Sequence, residues 1–386
     1  MARAEPATTI ICWKSDAIRI EELAPGPSVQ EFNQPALKVM NPDSENPLIT
    51  LILFGYNQEH FVREAIAGAI SQTYSPLEIL FSDDSSTDST FSIMQEAAAA
   101  YQGPHRIILN RNEQNRSVGA HVNAAFGLAT GEWIVTAASD DVSDAGRCAR
   151  VAEVAKAHPD AGVIGLGWRD IDEDGEPFPG RMLGRYQEGR INKAGDPAWI
   201  NQFRDGDFGA WGMSVAWKTS LVRQWPPLAD ELRQEDEVYS FRAALMGMSI
   251  VLDPEPVASY RHHGNNVSGY DPQADIETTE KRRIARARMN LATWRFLSDE
   301  LESPPAFVSS LWSERQLATL RTYLGLKIKA CEDNAGWWDC GTLGRLRRSL
   351  FPAERRRLIH RPREWKRILP YPWFLYLSTR EANKRR

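Results

Sequence analysis

Apolar residues in the first half of the chain fall into short unbroken runs, separated by stretches where they recur every three or four positions. Ile49 to Phe54, Leu77 to Phe81, Arg106 to Leu109 and Glu132 to Ala138 have strand length and are rich in β-branched, aliphatic and aromatic residues. Runs of that kind form strands buried on both faces. Between them, Phe61, Ile66 and Ile70 sit at helical spacing ahead of Tyr74-Ser75-Pro76, where proline stops a helix. Ser89 to Ala100 is alanine-rich behind Asp88, a good N-cap, and Val118 to Ala129 is closed by Gly131. The resulting β-α-β-α-β-α-β order predicts right-handed crossovers into a mostly parallel, Rossmann-like α/β sheet with helices on both faces.

The pattern continues with a helix over about 144–158 and a strand at 162–166. Residues 170–196, rich in Gly, Pro and charge, read as a hairpin or a flexible loop. Phe208 to Trp217 is strand-like. A helix runs from the acidic stretch at 232–237 to Met246, and short strands are expected at 249–251 and 256–260. From Thr278 onward the chain is helical, basic and aromatic. Three regions follow: an N-terminal accessory arm over 1–46, a catalytic α/β domain over 47–272, and a helical C-terminal extension over 273–386. Prolines break the arm, although Thr8 to Trp13 offers a competing reading as one packed extra strand.

Composition narrows the classes. A chain of 386 residues that is 42% apolar can build a sizeable core. Its net charge of -5 divides unevenly: residues 281–386 hold 24 Lys and Arg against 10 Asp and Glu, or +14, leaving -19 elsewhere. Arginines interleaved with Trp, Tyr and Leu in the tail suit an interfacial contact with an anionic membrane, or equally a helical domain with a solvated charged face or an acidic dimer partner. Nucleic acid is not an expected partner, because most of the chain is acidic and no nucleic-acid motif is present. The four cysteines lack C-x-x-C spacing, which points to a reducing compartment. With no 18-residue apolar run and no signal-peptide pattern, the expected location is cytoplasmic, at most peripheral on the inner face of the cell membrane. Phosphate-loop and dinucleotide fingerprints are missing, so kinase and dehydrogenase readings lose support.

Candidate chemistry collects where strands run out. Asp83-Asp84 follows one strand and Ser139-Asp140-Asp141 another, and ligands of open α/β sheets gather at such carboxyl ends. An Asp-Asp pair plus phosphate oxygens is enough to hold Mn2+ or Mg2+. Tyr56 can stack on a nucleobase, Asn57 and Glu59 can meet its edge or the ribose, and Asp84 can accept the N3-H of a uracil or thymine. The competing reading of Tyr56 and Asn57 is a turn that caps the next helix. Trp211 and Gly212 suit the wall of a sugar pocket, since aromatic faces stack on pyranose rings and glycine admits close approach.

The order of these motifs resembles the family 2 glycosyltransferases, which have a GT-A fold, mostly invert configuration and use nucleotide sugars. The resemblance runs from Tyr56-Asn57 through Gln72-Thr73-Tyr74, Asp83 to Thr90, Asn123, Gly131-Glu132 and Asp140-Asp141 to Gln234-Glu235-Asp236 and Tyr260-Arg261-His262-His263, about residues 47–266. It implies that Tyr56, Asn57, Glu59 and Asp84 bind the base, that Arg116 neutralises the nucleotide, and that Asp140 contacts ribose or metal. It further implies Asp141 as chief metal ligand, His263 as completing the metal or diphosphate site, and Asp236, with Glu235 beside it, as the catalytic base. Where the family often has Asp-x-Asp-Asp, this chain has Ala138-Ser139-Asp140-Asp141. The implied activity is inverting, metal-dependent transfer from a UDP-, dTDP- or GDP-sugar to a glycan or lipid-linked hydroxyl in bacterial surface polysaccharide assembly. The rival reading is a non-catalytic glycan-binding or scaffolding subunit on a degenerate transferase domain.

Overall fold

The computed structural model describes residues 29–32, 46–178, 190–192, 203, 209–264, 266, 275–345, 371, 373 and 374. The strand reading of Thr8 to Trp13 and the arginine-rich run from Arg347 to Arg367 lie outside these residues. A short strand β1 (Val29–Phe32) precedes the expected alternation: β2 (Ile49–Gly55), α1 (Val62–Ile70), β3 (Leu77–Asp83), α2 (Thr90–Ala100), β4 (Arg106–Arg111), α3 (Ser117–Leu128) and β5 (Trp133–Ala138). Next come β6 (Val142–Ser143), α4 (Arg147–Ala157), β7 (Ala161–Ile171), β8 (Arg190–Asn192), β9 (Val215–Lys218), α5 (Thr219–Arg223), α6 (Glu235–Leu245) and β10 (Ser249–Arg261). The C-terminal helices are α7 (Ile276–Glu302), α8 (Ala306–Leu311) and α9 (Glu314–Ala335).

All ten strands join one sheet, ordered β1-β4-β3-β2-β5-β9-β7-β10-β6, with β8 also on β10. Strands β4, β3, β2 and β5 are mutually parallel, as the crossover helices demand. Strand β9 runs antiparallel between β5 and β7, and β10 returns parallel to β7. The arm contributes β1, which lies antiparallel on β4.

Two local readings change. Of the stretch expected as one strand over 208–217, residue 208 lies outside the described residues and the rest is strand only from Val215; Gly212–Ser214 is a turn of 3-10 helix, with Ser214 N donating to Trp211 O at 3.0 Å. The two short strands near 250 and 258 are a single β10, whose register with β7 slips between Asp253 and Pro256. Pro254 and Pro256 lack the N–H a ladder needs, so they make an irregularity without ending the strand.

Alternation along the strands fills a core on each face. Ile49, Leu51, Leu53, Ile79, Phe81 and Val135 pack with α1, α2 and α4. Ile52, Leu80, Ile108 and Ile134 pack with α3 and α6, and the same cluster takes in Trp294, Leu297 and Leu301 of α7 and Leu317, Leu320 and Leu324 of α9. The C-terminal helices therefore share the core of the sheet. At the amino-terminal edge the buried Glu78 accepts from Thr50 Oγ1 at 2.5 Å, Thr130 N and Oγ1 at 2.7 Å each, and Arg106 Nη1 at 3.2 Å. A Cβ on Gly131 would lie 2.6 Å from Thr50 N, which explains glycine there. This polar bolt fixes the end of the sheet remote from the strand carboxyl termini.

Candidate active site

In the parallel block Phe54 pairs with Ala138 and Gly55 with Asp83, so the residues that follow β2, β3 and β5 leave the sheet side by side. Two further bonds extend the pairing beyond the strands: Asp84 N donates to Gly55 O and Ser139 N to Phe54 O, each at 2.9 Å. The ring of Tyr56 stands at this edge, 45% exposed. The side chains of Asn57 and Glu59 lace neighbouring loops together. Asn57, left-handed at φ 53°, accepts from Thr87 N at 2.8 Å through Oδ1, while its own N donates to Ser86 Oγ at 2.9 Å. Glu59 Oε2 accepts from Ser89 N at 3.0 Å, and that N–H holds its carboxyl below the usual range. Both residues thus rigidify the platform from which Tyr56 projects.

Adjacent aspartates do different work. Asp83 turns inward, taking Ser86 N at 3.0 Å and Ser86 Oγ at 2.5 Å, with Arg111 Nε 3.4 Å away; burial pushes its pKa up. Asp84 faces the other way and accepts from Asn112 Nδ2 at 2.7 Å and from Arg116 N at 3.1 Å. Arg116 is thus tied to Asp84 by its backbone, leaving its exposed guanidinium for solvent or ligand. Behind them His121 contacts Ser82 Oγ at 2.8 Å, and burial lowers its pKa to about 4, so it is neutral at pH 7.

After β5 the chain presents Asp140 and Asp141. Asp140 Oδ2 meets His263 Nε2 at 3.0 Å and Gln58 Nε2 at 3.3 Å. Asp141 is buried: Oδ1 accepts from Arg261 N at 2.8 Å, whereas Oδ2 has no hydrogen-bond partner among the described residues. Burial, with the charge of Asp140 added, drives the Asp141 pKa well above the carboxylate range. Arg261 braces the pair; its Nε donates to Asp140 O at 3.0 Å and its Nη2 meets Glu64 Oε2 at 2.5 Å. His262 points away, bonded to Asp170 at 2.7 Å and stacked on Phe178. Among the described residues no three His, Cys, Asp or Glu side chains form a ready metal cage. The set Asp140, Asp141 and His263 nonetheless has the chemistry of an Mn2+ or Mg2+ site completed by phosphate oxygens, and Asp141 Oδ2 is the buried oxygen of that set with no hydrogen-bond partner among the described residues.

The other wall is built on β5 and α6. Thr136 Oγ1 donates to Gly212 O at 2.6 Å, fixing the 211–214 turn beside the acidic strand end. Trp211 stacks on Trp168, with ring centroids 5.3 Å apart. Gly212 N donates to Asp236 Oδ2 at 3.2 Å. Glu235, at the start of α6, is half-buried; desolvation, reinforced by Asp236, raises its pKa to about 8. It is therefore mostly protonated at pH 7 and can donate a hydrogen bond, while Asp236 beside it accepts from Gly212 N and, through Oδ1, from Glu237 N at 2.9 Å.

The residues singled out in the sequence thus line one edge of the sheet, Tyr56, Asp84 and Arg116 on one side, Asp140, Asp141 and His263 centrally, and Trp211, Gly212, Glu235 and Asp236 on the other. Sequence reasoning missed Gln58, Asn112, Thr136, Arg147 and Arg261 as organisers. Arg261 alone carried a signal, since it sits within the quoted Tyr260-Arg261-His262-His263 run. Other motif residues serve the scaffold. Gln72 ties α1 to α4 through Gly68 O, Asp144 O and Cys148 N, and Asn123 exchanges two bonds with the Leu228 backbone.

Residues 50–218 match the family model for glycosyl transferase family 2. EpsE of Bacillus subtilis, provisionally named a glycosyltransferase, is 33% identical over 132 residues, 34% of this chain and 47% of EpsE. The succinoglycan biosynthesis protein ExoO of Rhizobium meliloti is 29% identical over 232 residues, 58% of this chain and 63% of ExoO. The chain thus spans about half to two-thirds of these relatives. Among solved structures, the mannosyltransferase PcManGT of Pyrobaculum calidifontis, in complex with GDP-Man and Mn2+, aligns at a TM-score of 0.49 and 16% identity, covering 88% of this chain and 81% of that one.

Proposed function

We propose that this chain, whose residues 50–218 match the family model for glycosyl transferase family 2, belongs to that family and transfers a sugar, with inversion, from a nucleoside diphosphate donor to a hydroxyl of a glycan or lipid-linked acceptor. One observation carries the reading: Tyr56, Asp84, Asp140 and Asp141 follow three adjacent parallel strands, and the turn that meets Asp236 is bonded to β5, the strand that ends at Asp140 and Asp141. A nucleotide laid along that edge has its base at Tyr56 and Asp84 and its diphosphate at Asp140 and Asp141. Asp140, Asp141 and His263 would hold Mn2+ or Mg2+, which when bound neutralises charge on the diphosphate leaving group.

The chain's own residues do the rest. Asp236 takes the proton of the acceptor hydroxyl as its oxygen attacks the anomeric carbon from the face opposite the diphosphate; the carbon–oxygen bond to the diphosphate breaks, and the nucleoside diphosphate leaves. Glu235, mostly protonated near neutral pH, donates to a sugar hydroxyl and keeps a second negative charge from crowding Asp236. Trp211 provides an apolar face for the pyranose ring.

ExoO is named for succinoglycan biosynthesis, which supports a role in bacterial surface polysaccharide assembly. The charge of +14 over residues 281–386 supports work at the inner face of an anionic membrane. Among the described residues no helix is long and apolar enough to cross one. The decisive experiment is a thermal-shift series with UDP, dTDP and GDP, each with and without Mn2+. A ligand that binds only the native state raises the melting temperature, so one nucleotide is expected to do so in a metal-dependent way. No shift with any of them sinks the donor reading.

A further inference from the structure

The helix that carries Glu235 and Asp236 lies beyond the residues matched by the family, and a C-terminal helix holds it in place. Gln234, the N-cap residue of α6, makes no cap hydrogen bond with its side chain, and Gln is not among the residues that cap well. That side chain turns to α7 instead: Gln234 Oε1 accepts from Thr293 Oγ1 at 3.0 Å. Thr293 is completely buried. Its hydroxyl also lies 3.3 Å from Met289 O, one turn back in its own helix, so a single proton is shared between the helix backbone and Gln234. A threonine in mid-helix satisfies itself through such a back-bond alone. The added reach to a cap residue on another helix is the unusual part.

A second tie lies two turns further along α7. Arg242 of α6, fully buried, donates through Nε to both oxygens of Glu300 at 3.1 and 3.3 Å, and its Nη2 meets the same carboxylate. The rings of Trp225, Tyr239 and Phe296 surround the guanidinium, 5.2 to 5.5 Å from its carbon. The two ties, Gln234 to Thr293 and Arg242 to Glu300, hold α6 against α7 at both ends. On its other side the same first turn meets Gly212 N through Asp236 Oδ2.

We propose that Thr293 is a positioning residue: through Gln234 it sets where α6 begins and so holds the Asp236 carboxylate against the 211–214 turn, which makes α7 part of the catalytic unit. The proposal rests on the reading of Asp236 as the base. A base displaced by a fraction of an ångström loses its alignment with the acceptor proton while donor binding, at the far end of the edge, is untouched.

The test uses the full-length protein with T293V, which keeps the shape and loses the hydroxyl, T293S, which keeps the hydroxyl, and D236N. Release of nucleoside diphosphate is followed from UDP-N-acetylglucosamine, UDP-glucose, dTDP-glucose and GDP-mannose with Mn2+, with water as the acceptor whose proton Asp236 takes. T293V is expected to lower kcat about tenfold with donor KM changed by less than about twofold. T293S is expected to restore kcat, and both variants should melt within a few degrees of the wild type. Wild-type kcat in T293V, or a loss that only tracks the loss of folded protein, overturns the positioning role while an inactive D236N keeps the base reading intact. D236N turning over like the wild type sinks both. A readout independent of the donor runs beside it, the titration of Glu235 in 13C-carboxyl-labelled protein, with the signal assigned by E235Q. In T293V that titration is expected to move from about 8 toward the ordinary carboxylate range as the first turn loosens and water enters. An unchanged titration overturns the proposal whichever donor the protein uses.

Discussion

A Cβ built on Gly212 would lie 2.7 Å from Oε1 of Glu235. The glycine is there because the carboxyl group fills the space a side chain would need. Replacing Gly212 by Ala forces Glu235 aside and, through the bond from Gly212 N, disturbs Asp236 as well. Gly212 is not among the left-handed glycines, so the backbone itself tolerates alanine. G212A is therefore expected to fold normally and to lose about tenfold or more in kcat, checked by steady-state kinetics beside a thermal melt.

The raised pKa of Glu235 gives a pH dependence whose sign can be worked out. In the unfolded chain the group titrates near 4.5 and in the folded protein near 8. Between those values the folded state binds the extra proton, so stability falls as pH rises through the window. Below about 4.5 both states are protonated and the glutamate costs nothing. E235Q, neutral throughout, is expected to melt like the wild type at low pH and increasingly above it from pH 5 to 9. Parallel melting curves across that range would remove the raised pKa.

Asp141 is expected to separate stability from binding. Its carboxylate is buried with Oδ2 unpartnered among the described residues, and D141N keeps an oxygen for Arg261 N while removing the charge that burial disfavours. The variant should be at least as stable as the wild type near pH 7. Its metal-dependent affinity for a nucleoside diphosphate should fall about tenfold or more. Calorimetry with and without Mn2+ decides, and equal affinities in the two proteins would take Asp141 out of the metal set.

The sequence read best where the physics is local. Strands β2 to β5 and helices α1 to α4 follow from runs and spacings within ten or so residues, and the acidic ends of β3 and β5 follow with them. It read poorly where a role depends on a partner distant in the chain. Asn57 and Glu59 were legible as functional candidates, yet the bonds from Thr87 and Ser89 that occupy them arise only once two loops meet. Gly131 and Asn123 matched motifs that position the sheet and the Leu228 segment rather than a ligand. The prolines of β10 imitated a strand end. Thr293 had no signal at all, because a threonine inside an amphipathic helix looks like any other half-polar position until Gln234 is seen across from it.

Arg147 offers the sharpest test of how the two walls are joined. It is fully buried; Nη1 donates to Ser143 Oγ at 2.9 Å and Nη2 to Thr136 O at 2.6 Å and Met213 O at 2.9 Å. One guanidinium therefore pins strand β5, whose end carries Asp140 and Asp141, the edge strand β6 and the 211–214 turn that faces Asp236. Burial lowers its pKa to about 10, still charged at neutral pH. R147M takes the Arg147 donors away from three interior acceptors, at roughly 1–3 kcal/mol each before relaxation or water entry, so a loss of about 3 kcal/mol or more is expected in urea unfolding. Lysine cannot reproduce the planar fork, so R147K should recover only part of it. Because Arg147 touches the turn but not the base platform, the residual activity of R147K should show a lowered kcat with donor affinity nearly unchanged. An R147K protein as stable and active as the wild type would mean that the bonds to Thr136 and Met213 do not hold the walls together.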